Sequence, residues 1–288
     1  MINKKLDNYI ILFTCPDRQG IVAKITNWLF EQKVNIISME EHVESNNNLF
    51  FMRLVLQSPF EIFENKIFIE KLLEYGKSFN GKFSFHKLKE KDDCAIFVTK
   101  ERLPLYDLLI KHQTNDLNCN IKMVVSNHQN LSYVAEQFNI PFYHFPINSK
   151  NKSEIEPQLI SFMEVNEIDL IILARYMQIF SPDFCSKYSG KVINIHHSFL
   201  PSFKGAKPYK QAYEKGVKIM GATAHYITEE LDAGPIIEQT VERVDHSQSP
   251  EELELIGQDI ESITLTRAVK KHLEGKVFIN DKKTVVFD

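Results

Sequence analysis

The chain has 288 residues, of which 43% are hydrophobic and 25% charged; this is the make-up of a globular protein with a core of its own, in one large domain or two ordinary ones. A formal net charge of −4 lacks the basic excess with which a protein grips many phosphates, so no nucleic-acid partner is expected. No apolar run reaches the roughly 18 residues that suggest a membrane span, and the first residues lack the long apolar stretch and cleavage site of a secretory leader, which points to a cytoplasmic protein without a membrane partner.

In chain order, residues 9–14 form a short apolar run, ended by Asp17, Arg18, Gln19 and Gly20. Ile21, Ile25, Trp28 and Leu29 then recur at helical spacing. Residues 34–39 and 49–56 read as strands around an Asn-rich turn at 44–48, residues 62–75 as a helix, and 82–88 as a last strand. Together they predict a βαββαβ unit, a compact α+β arrangement. The charged, aperiodic stretch 86–93 reads as a domain boundary. Beyond it, short branched runs at 95–98, 121–125, 170–173 and 192–195 alternate with helical stretches at 103–112, 131–138 and 153–166. Apolar runs without polar alternation suit strands buried on both faces of a parallel sheet, so the second part is expected to be doubly wound α/β. Ligands of such sheets lie beyond the carboxyl ends of the strands, which selects the residues after Leu173 and after Ile193. Four cysteines, Cys15, Cys94, Cys119 and Cys185, are widely spaced. They read as free thiols of a reducing compartment, and no metal set is expected from them.

Asn194, His196, His197 and Ser198 bring an amide, two imidazoles and a hydroxyl within five positions. One residue apart, Asn194 and His196 point the same way from an extended segment. An imidazole exchanges protons near neutrality, and an amide donates to an oxyanion without changing charge. The same residues would equally make an ordinary polar loop. Further on, Thr223 and His225 share one face of the strand read at 219–227, and Asp232 precedes the turn signal of Gly234 and Pro235. A carboxylate there can orient an imidazole or act on a water, or it can simply cap the turn.

Together the two segments resemble the formyltetrahydrofolate-dependent formyltransferase superfamily. Asn194, His196, Ser198, Leu200 and Pro201 follow its first motif, with Phe199 in place of a leucine, and His225 and Asp232 follow its second at the same seven-residue offset. The resemblance implies a mostly parallel sheet of the formyltransferase type, with Asn194, His196 and Asp232 as the catalytic set. It also implies a pterin pocket formed largely by backbone of residues 173–180, at Met177, Gln178, Ile179 and Phe180, and closed by the loop 228–232 with Thr228 and Glu229. His197 and His225 join these as substrate-binding candidates. By their side chains alone Met177, Ile179 and Phe180 read more readily as core, and His225 either orients Asp232 or fills the sheet. Lys204, Lys207 and Lys210 form a basic patch that either meets the glutamate tail of folate or is solvated.

Within the superfamily, residues 98–105 contain no glycine, where glycinamide ribonucleotide formyltransferases carry a Gly-rich loop for the substrate phosphate. The basic C-terminal domain of methionyl-tRNA formyltransferases and the aldehyde dehydrogenase domain of formyltetrahydrofolate dehydrogenases have no counterpart in the sequence. Residues 15–22, followed by Asn35, Ile36 and Ile37, resemble an ACT domain. An ACT domain fused to a formyltransferase-like domain resembles the formyltetrahydrofolate deformylases over almost the whole chain. The resemblance implies a ferredoxin-like ACT domain at residues 1–88, for regulation or dimerisation, and a catalytic domain at 89–288. It implies hydrolysis of the substrate 10-formyltetrahydrofolate to formate and tetrahydrofolate, supplying formate for purine synthesis and balancing one-carbon pools, with no tightly bound cofactor. It further implies an amino-acid effector near Asp17, Gly20 and Asn35, and a homo-oligomer, dimer or tetramer. Formyl transfer to a small amine and a non-catalytic folate-binding regulator are the alternatives.

Overall fold

A computed structural model describes residues 6–59, 63, 65–87, 91–148, 150–198 and 208–288. The chain divides into two compact units: Met1–Lys91 with Glu274–Phe278 and Phe287–Asp288, and Asp92–Leu273 with Ile279–Val286.

In the first unit, β1 (Leu6–Pro16), α1 (Ile21–Glu31), β2 (Asn35–Glu44), β3 (Leu49–Pro59), α2 (Lys66–Lys77) and β4 (Lys82–Lys87) follow the expected βαββαβ order. The four-stranded sheet is ordered β2-β3-β1-β4, and every pair in it is antiparallel. Tyr9, Ile11 and Phe13 of β1 stand opposite Leu56, Leu54 and Met52 of β3. Alternation therefore puts these six on one face, where they form a core with Ile21, Ile25 and Leu29 of α1. Helix α1 starts from Gly20 at φ 84°, a left-handed conformation that glycine adopts without a Cβ penalty. Strand β2 runs on to Glu44, past the residue 39 expected. Among the described residues it pairs only with β3, and its second half is mostly polar and exposed, so apolar periodicity does not mark it.

The second unit contains β5 (Asp92–Val98), α3 (Leu103–Gln113), β6 (Cys119–Ser126), α4 (Ser132–Gln137), β7 (Phe142–His144), α5 (Lys152–Val165), β8 (Leu170–Ala174), α6 (Pro182–Lys187), β9 (Val192–His196), α7 (Pro208–Lys215), β10 (Ile219–Tyr226), β11 (Ile236–Arg243) and α8 (Pro250–Leu273). The strands β12 (Val277–Asn280) and β13 (Lys283–Val286) then form a small two-stranded sheet. The main sheet has seven strands in the order β11-β10-β9-β8-β5-β6-β7. Strands β5 to β9 pair in parallel, and β10 and β11 add an antiparallel edge. Every residue of β8 is buried, as befits a strand covered on both faces. The order turns at β5, with β6 on one side and β8 on the other. Such a switch point opens a crevice beyond the carboxyl ends of the strands.

Residues 174–184, which follow β8, are pinned from below. Both carboxylate oxygens of buried Glu156 on α5 accept from the Ser181 amide, at 3.1 and 3.2 Å. Ser181 in turn caps α6 by accepting from the Phe184 amide at 3.1 Å, and Pro182 occupies the first turn, where its missing N–H is harmless. Phe184 stacks on Phe180 with ring centroids 3.9 Å apart. Among the described residues no helix is long and apolar enough to cross a membrane.

Candidate active site

Strand β9 puts Asn194 and His196 on one face, partly exposed, while Ile193 and Ile195 are buried on the other. The antiparallel neighbour β10 pairs His225 with Asn194 and Thr223 with His196. The loop between β10 and β11 then returns Asp232 to the same place. Its Oδ2 lies 3.3 Å from His196 Nδ1, and its Oδ1 lies 3.8 Å from His225 Nε2. Three elements thus converge on one carboxylate.

Hydrogen bonds settle how the imidazoles stand. His225 Nδ1 lies 2.8 Å from the Tyr226 carbonyl oxygen. A carbonyl only accepts, so Nδ1 carries the proton. In the neutral ring Nε2 is then an acceptor, and Asn194 Nδ2 donates to it at 3.3 Å. One amide hydrogen of Asn194 is thereby committed and the other is left for a ligand. His196 Nδ1 facing a carboxylate is likewise the protonated nitrogen, which leaves its Nε2 for chemistry. The hydrogen bond from His196, and after it the closeness of the His225 ring, hold the Asp232 carboxyl well below the usual carboxylate range, against the opposing effect of burial.

The loop bearing Asp232 is held by backbone shape. Asp232 itself has φ 55°, a left-handed conformation that Asp tolerates better than most residues. Two residues on, a Cβ on Gly234 would stand 1.7 Å from the Tyr226 carbonyl oxygen, so only glycine lets the loop pass this close to β10. The Thr228 hydroxyl donates to the Glu230 carbonyl at 3.0 Å and ties the other end.

These groups line a cavity of about 310 Å³. Its walls are Leu173 of β8 and Arg175 to Phe180 after it, Asn194 to His196 on β9 with His197 next to them, and Thr228 to Asp232 in the β10–β11 loop. Met177, Gln178, Ile179, Phe180, His197, His225, Thr228 and Glu229 are all part of this lining. The side-chain reading of Met177 and Ile179 as core does not hold: they are 60% and 63% exposed. Phe180 is buried, in an aromatic stack with Tyr176 and Phe184. The Met177 amide donates to Thr99 Oγ1 at 3.0 Å, so the glycine-free loop after β5 supports the cavity rim. Ring stacking joins His197 to His196 at 4.8 Å between centroids. Burial, followed by the charge of Arg175, lowers His197 to about 4.

Residues 199–207, with the rest of the first motif and Lys204 and Lys207, lie outside the described residues. Lys210 is exposed and stands 3.8 Å from Glu214. Among the described residues no group of three or more His, Cys, Asp or Glu is placed to hold a metal ion. Sequence reading passed over Arg175 and Glu261, whose Nε and Oε2 are 3.4 Å apart. The usable signal was Glu261 itself, an acidic residue at a core position of α8 between Ile260 and Leu265. Asp17, Gly20 and Asn35 belong to the first unit. The Asp17 amide donates to the Asn48 carbonyl at 2.8 Å, Gly20 precedes α1, and Asn35 opens β2.

Comparison with known proteins shows the chain's family. Residues 93–269 match the family described as Formyl transferase. The chain is 42% identical over 280 residues to the formyltetrahydrofolate deformylase of Bacillus subtilis, covering 96% of this chain and 93% of that one. It is 41% identical over 298 residues to the enzyme of that name from Haemophilus influenzae, covering 99% and 100%. The crystal structure of a formyltetrahydrofolate deformylase from Pseudomonas putida superposes with a TM-score of 0.92 at 42% identity, over 98% of this chain and 100% of that one.

Proposed function

Since the chain belongs to the formyltetrahydrofolate deformylase family, we propose that it hydrolyses 10-formyltetrahydrofolate to formate and tetrahydrofolate with Asn194, His196 and Asp232 as its catalytic residues. The observation that carries this reading is the contact of Asp232 with His196 Nδ1 at the wall of the cavity, with Asn194 beside it. A carboxylate held so low is a weak base for water but a strong partner for an imidazolium. Asp232 therefore orients His196 and stabilises its charged form, as in other carboxylate–imidazole pairs.

The oxygen of water attacks the formyl carbon while His196 Nε2 takes one of its protons. The free amide hydrogen of Asn194 meets the oxyanion. The C–N bond then breaks, and the imidazolium returns the proton to the leaving nitrogen. Formic acid releases its own proton to solvent, so the products are tetrahydrofolate, formate and H⁺. Met177, Gln178, Ile179 and Phe180 form the pterin wall, with Thr228 and Glu229 opposite and His197 and His225 at the reacting end. Incubation of the protein with 10-formyltetrahydrofolate and no amine acceptor tests the reading. Stoichiometric formate and tetrahydrofolate are expected; formate appearing only on addition of an amine, or not at all, contradicts it.

We assign residues 89–288 to catalysis and 1–88 to an ACT-type regulatory or dimerisation domain in a cytoplasmic homo-oligomer. An amino-acid effector at Asp17, Gly20 and Asn35 is supported by the tight loop between β1 and α1. Calorimetry with the common amino acids tests it: a saturable heat that disappears in Asp17→Ala is expected.

A further inference from the structure

Arg175 closes β8 with φ 62° and lines the cavity together with His196 and His197. Its side chain is only 17% exposed, and its Nε and Nη1 have no hydrogen-bond partner. What holds it is charge. Glu261 Oε2, 2% exposed in the middle of α8, lies 3.4 Å from Nε, and the other oxygen of Glu261 accepts from the Tyr209 hydroxyl of α7. Tyr209 is wedged in place, since a Cβ on Gly257 would lie 2.2 Å from its ring. The guanidinium is thus a fixed positive charge in the wall of the same cavity as the two stacked histidines.

A water that attacks a carbonyl has two hydrogens to place if its lone pair is to face the carbon. One goes to the base, His196. The other needs a second acceptor nearby, and His197 stacks on His196 within the same cavity. We propose that Arg175, clamped by Glu261, is a positioning residue that reserves His197 as the second hydrogen-bond acceptor for the attacking water. An imidazole accepts only when uncharged. Among the described residues three charged or titratable groups act on His197: Arg175 just after β8, His196 at the end of β9 and Asp232 from the β10–β11 loop. Burial opposes a charge on His197 most, Arg175 and then His196 add to it, and of these groups Asp232 alone favours one. Glu261, which holds Arg175, is faced in turn by Tyr209, Glu101 and His196 as well as by Arg175. This inference rests on the hydrolytic reading above and adds to it the device that seats the water.

The test uses the full chain with Arg175→Lys and the charge-balanced double variant Arg175→Met/Glu261→Gln, which leaves no buried charge unpaired. Formate release from 10-formyltetrahydrofolate is followed from pH 5 to 9, and the histidine ring nitrogens are titrated by NMR. In the double variant kcat at about pH 5.5 should fall up to about tenfold with KM within twofold, His197 should titrate nearer the ordinary histidine value, and the acid limb of the kcat profile should move upward with it. Arg175→Lys keeps the charge and should keep the profile. A folded double variant with unchanged His197 titration and pH profile overturns the proposal, as does an equal loss of kcat in both variants with neither profile moved. A wild-type protein that releases no formate would instead overturn the hydrolytic reading, and the NMR titration reads the coupling of Arg175 to His197 in either case.

Discussion

Asp232 reaches His196 at 3.3 Å from a loop that lies between two antiparallel strands, while His196 ends a strand of the parallel sheet. The contact orients the imidazole through Nδ1 and leaves Nε2 toward the cavity. Replacing Asp232 by Asn keeps the shape and removes the charge that stabilises an imidazolium. The kcat for formate release should fall about 10²–10⁴-fold, with folate affinity changed only a few-fold. Steady-state kinetics together with calorimetric binding of a non-hydrolysable folate separates the two effects, and near-normal turnover in a folded Asp232→Asn protein would rule the assignment out.

Asn194 has one amide hydrogen spent on His225 and one free. Asn194→Ala should cost about 2.7–4 kcal/mol of barrier, or about 10²–10³ in kcat, the range for one oxyanion donor. KM should stay within a few-fold. An increase confined to KM would move Asn194 from the transition state to substrate binding.

Gly234 lets the loop bearing Asp232 lie against β10. Gly234→Ala places a methyl where the Tyr226 carbonyl oxygen is, so the loop must shift. A displacement of about 1 Å at a reacting group can cost about 10²-fold in rate, and an activity loss of that order is expected with only a modest drop in Tm. Wild-type kcat in this variant would mean that the loop repositions Asp232 without strain.

His197 gives the folded protein a signature in acid. Its folded-state value of about 4 lies below the ordinary histidine value, so the unfolded chain takes up its proton first as pH falls. Stability is therefore full above about 6.5 and is lost as pH drops from there to about 4, by roughly 1–3 kcal/mol. Asp232 is depressed as well, and its contribution is lost only below the ordinary carboxylate value, as the pH falls further. Urea denaturation of wild type and His197→Gln at pH 7, 5.5 and 4.5 checks the first window. The slope there should flatten in the variant; identical slopes would contradict the shift.

Phe184 is fully buried and stacks between Phe180 and Tyr188 under the cavity wall. Phe184→Ala should destabilise the second unit by about 3–5 kcal/mol, measurable as a lower denaturation midpoint. A loss below 1 kcal/mol would show that the wall collapses to fill the gap.

The strands and the residues that meet at the cavity differ in how visible they are in the chain. Buried parallel strands such as 170–173 announce themselves as unbroken branched runs, and Asn194 and His196 lie next to one. Short or polar elements do not: β7 has three residues, and β11 ends in exposed polar positions. Arg175 and Glu261 form one ion pair across more than 80 positions of sequence, and nothing local in either segment announces the partner. The exposure of Met177 and Ile179 was hidden for a different reason. An apolar side chain facing a cavity has the same composition as one facing the core.

The ladder between β9 and β10 runs without a break from Thr223 opposite His196 to Tyr226 opposite Ile193, whereas β10 against β11 slips between Ala224 and His225. The irregularity thus falls on the outer strand. A strand exchanges its two faces with any one-residue shift, so one deletion at the start of β9, at Val192, would turn Asn194 and His196 away together and present Ile193 and Ile195 to the cavity. Insertions and deletions in the lineage of this chain can therefore accumulate on the outer side of β10, while the inner ladder is inherited whole or lost whole.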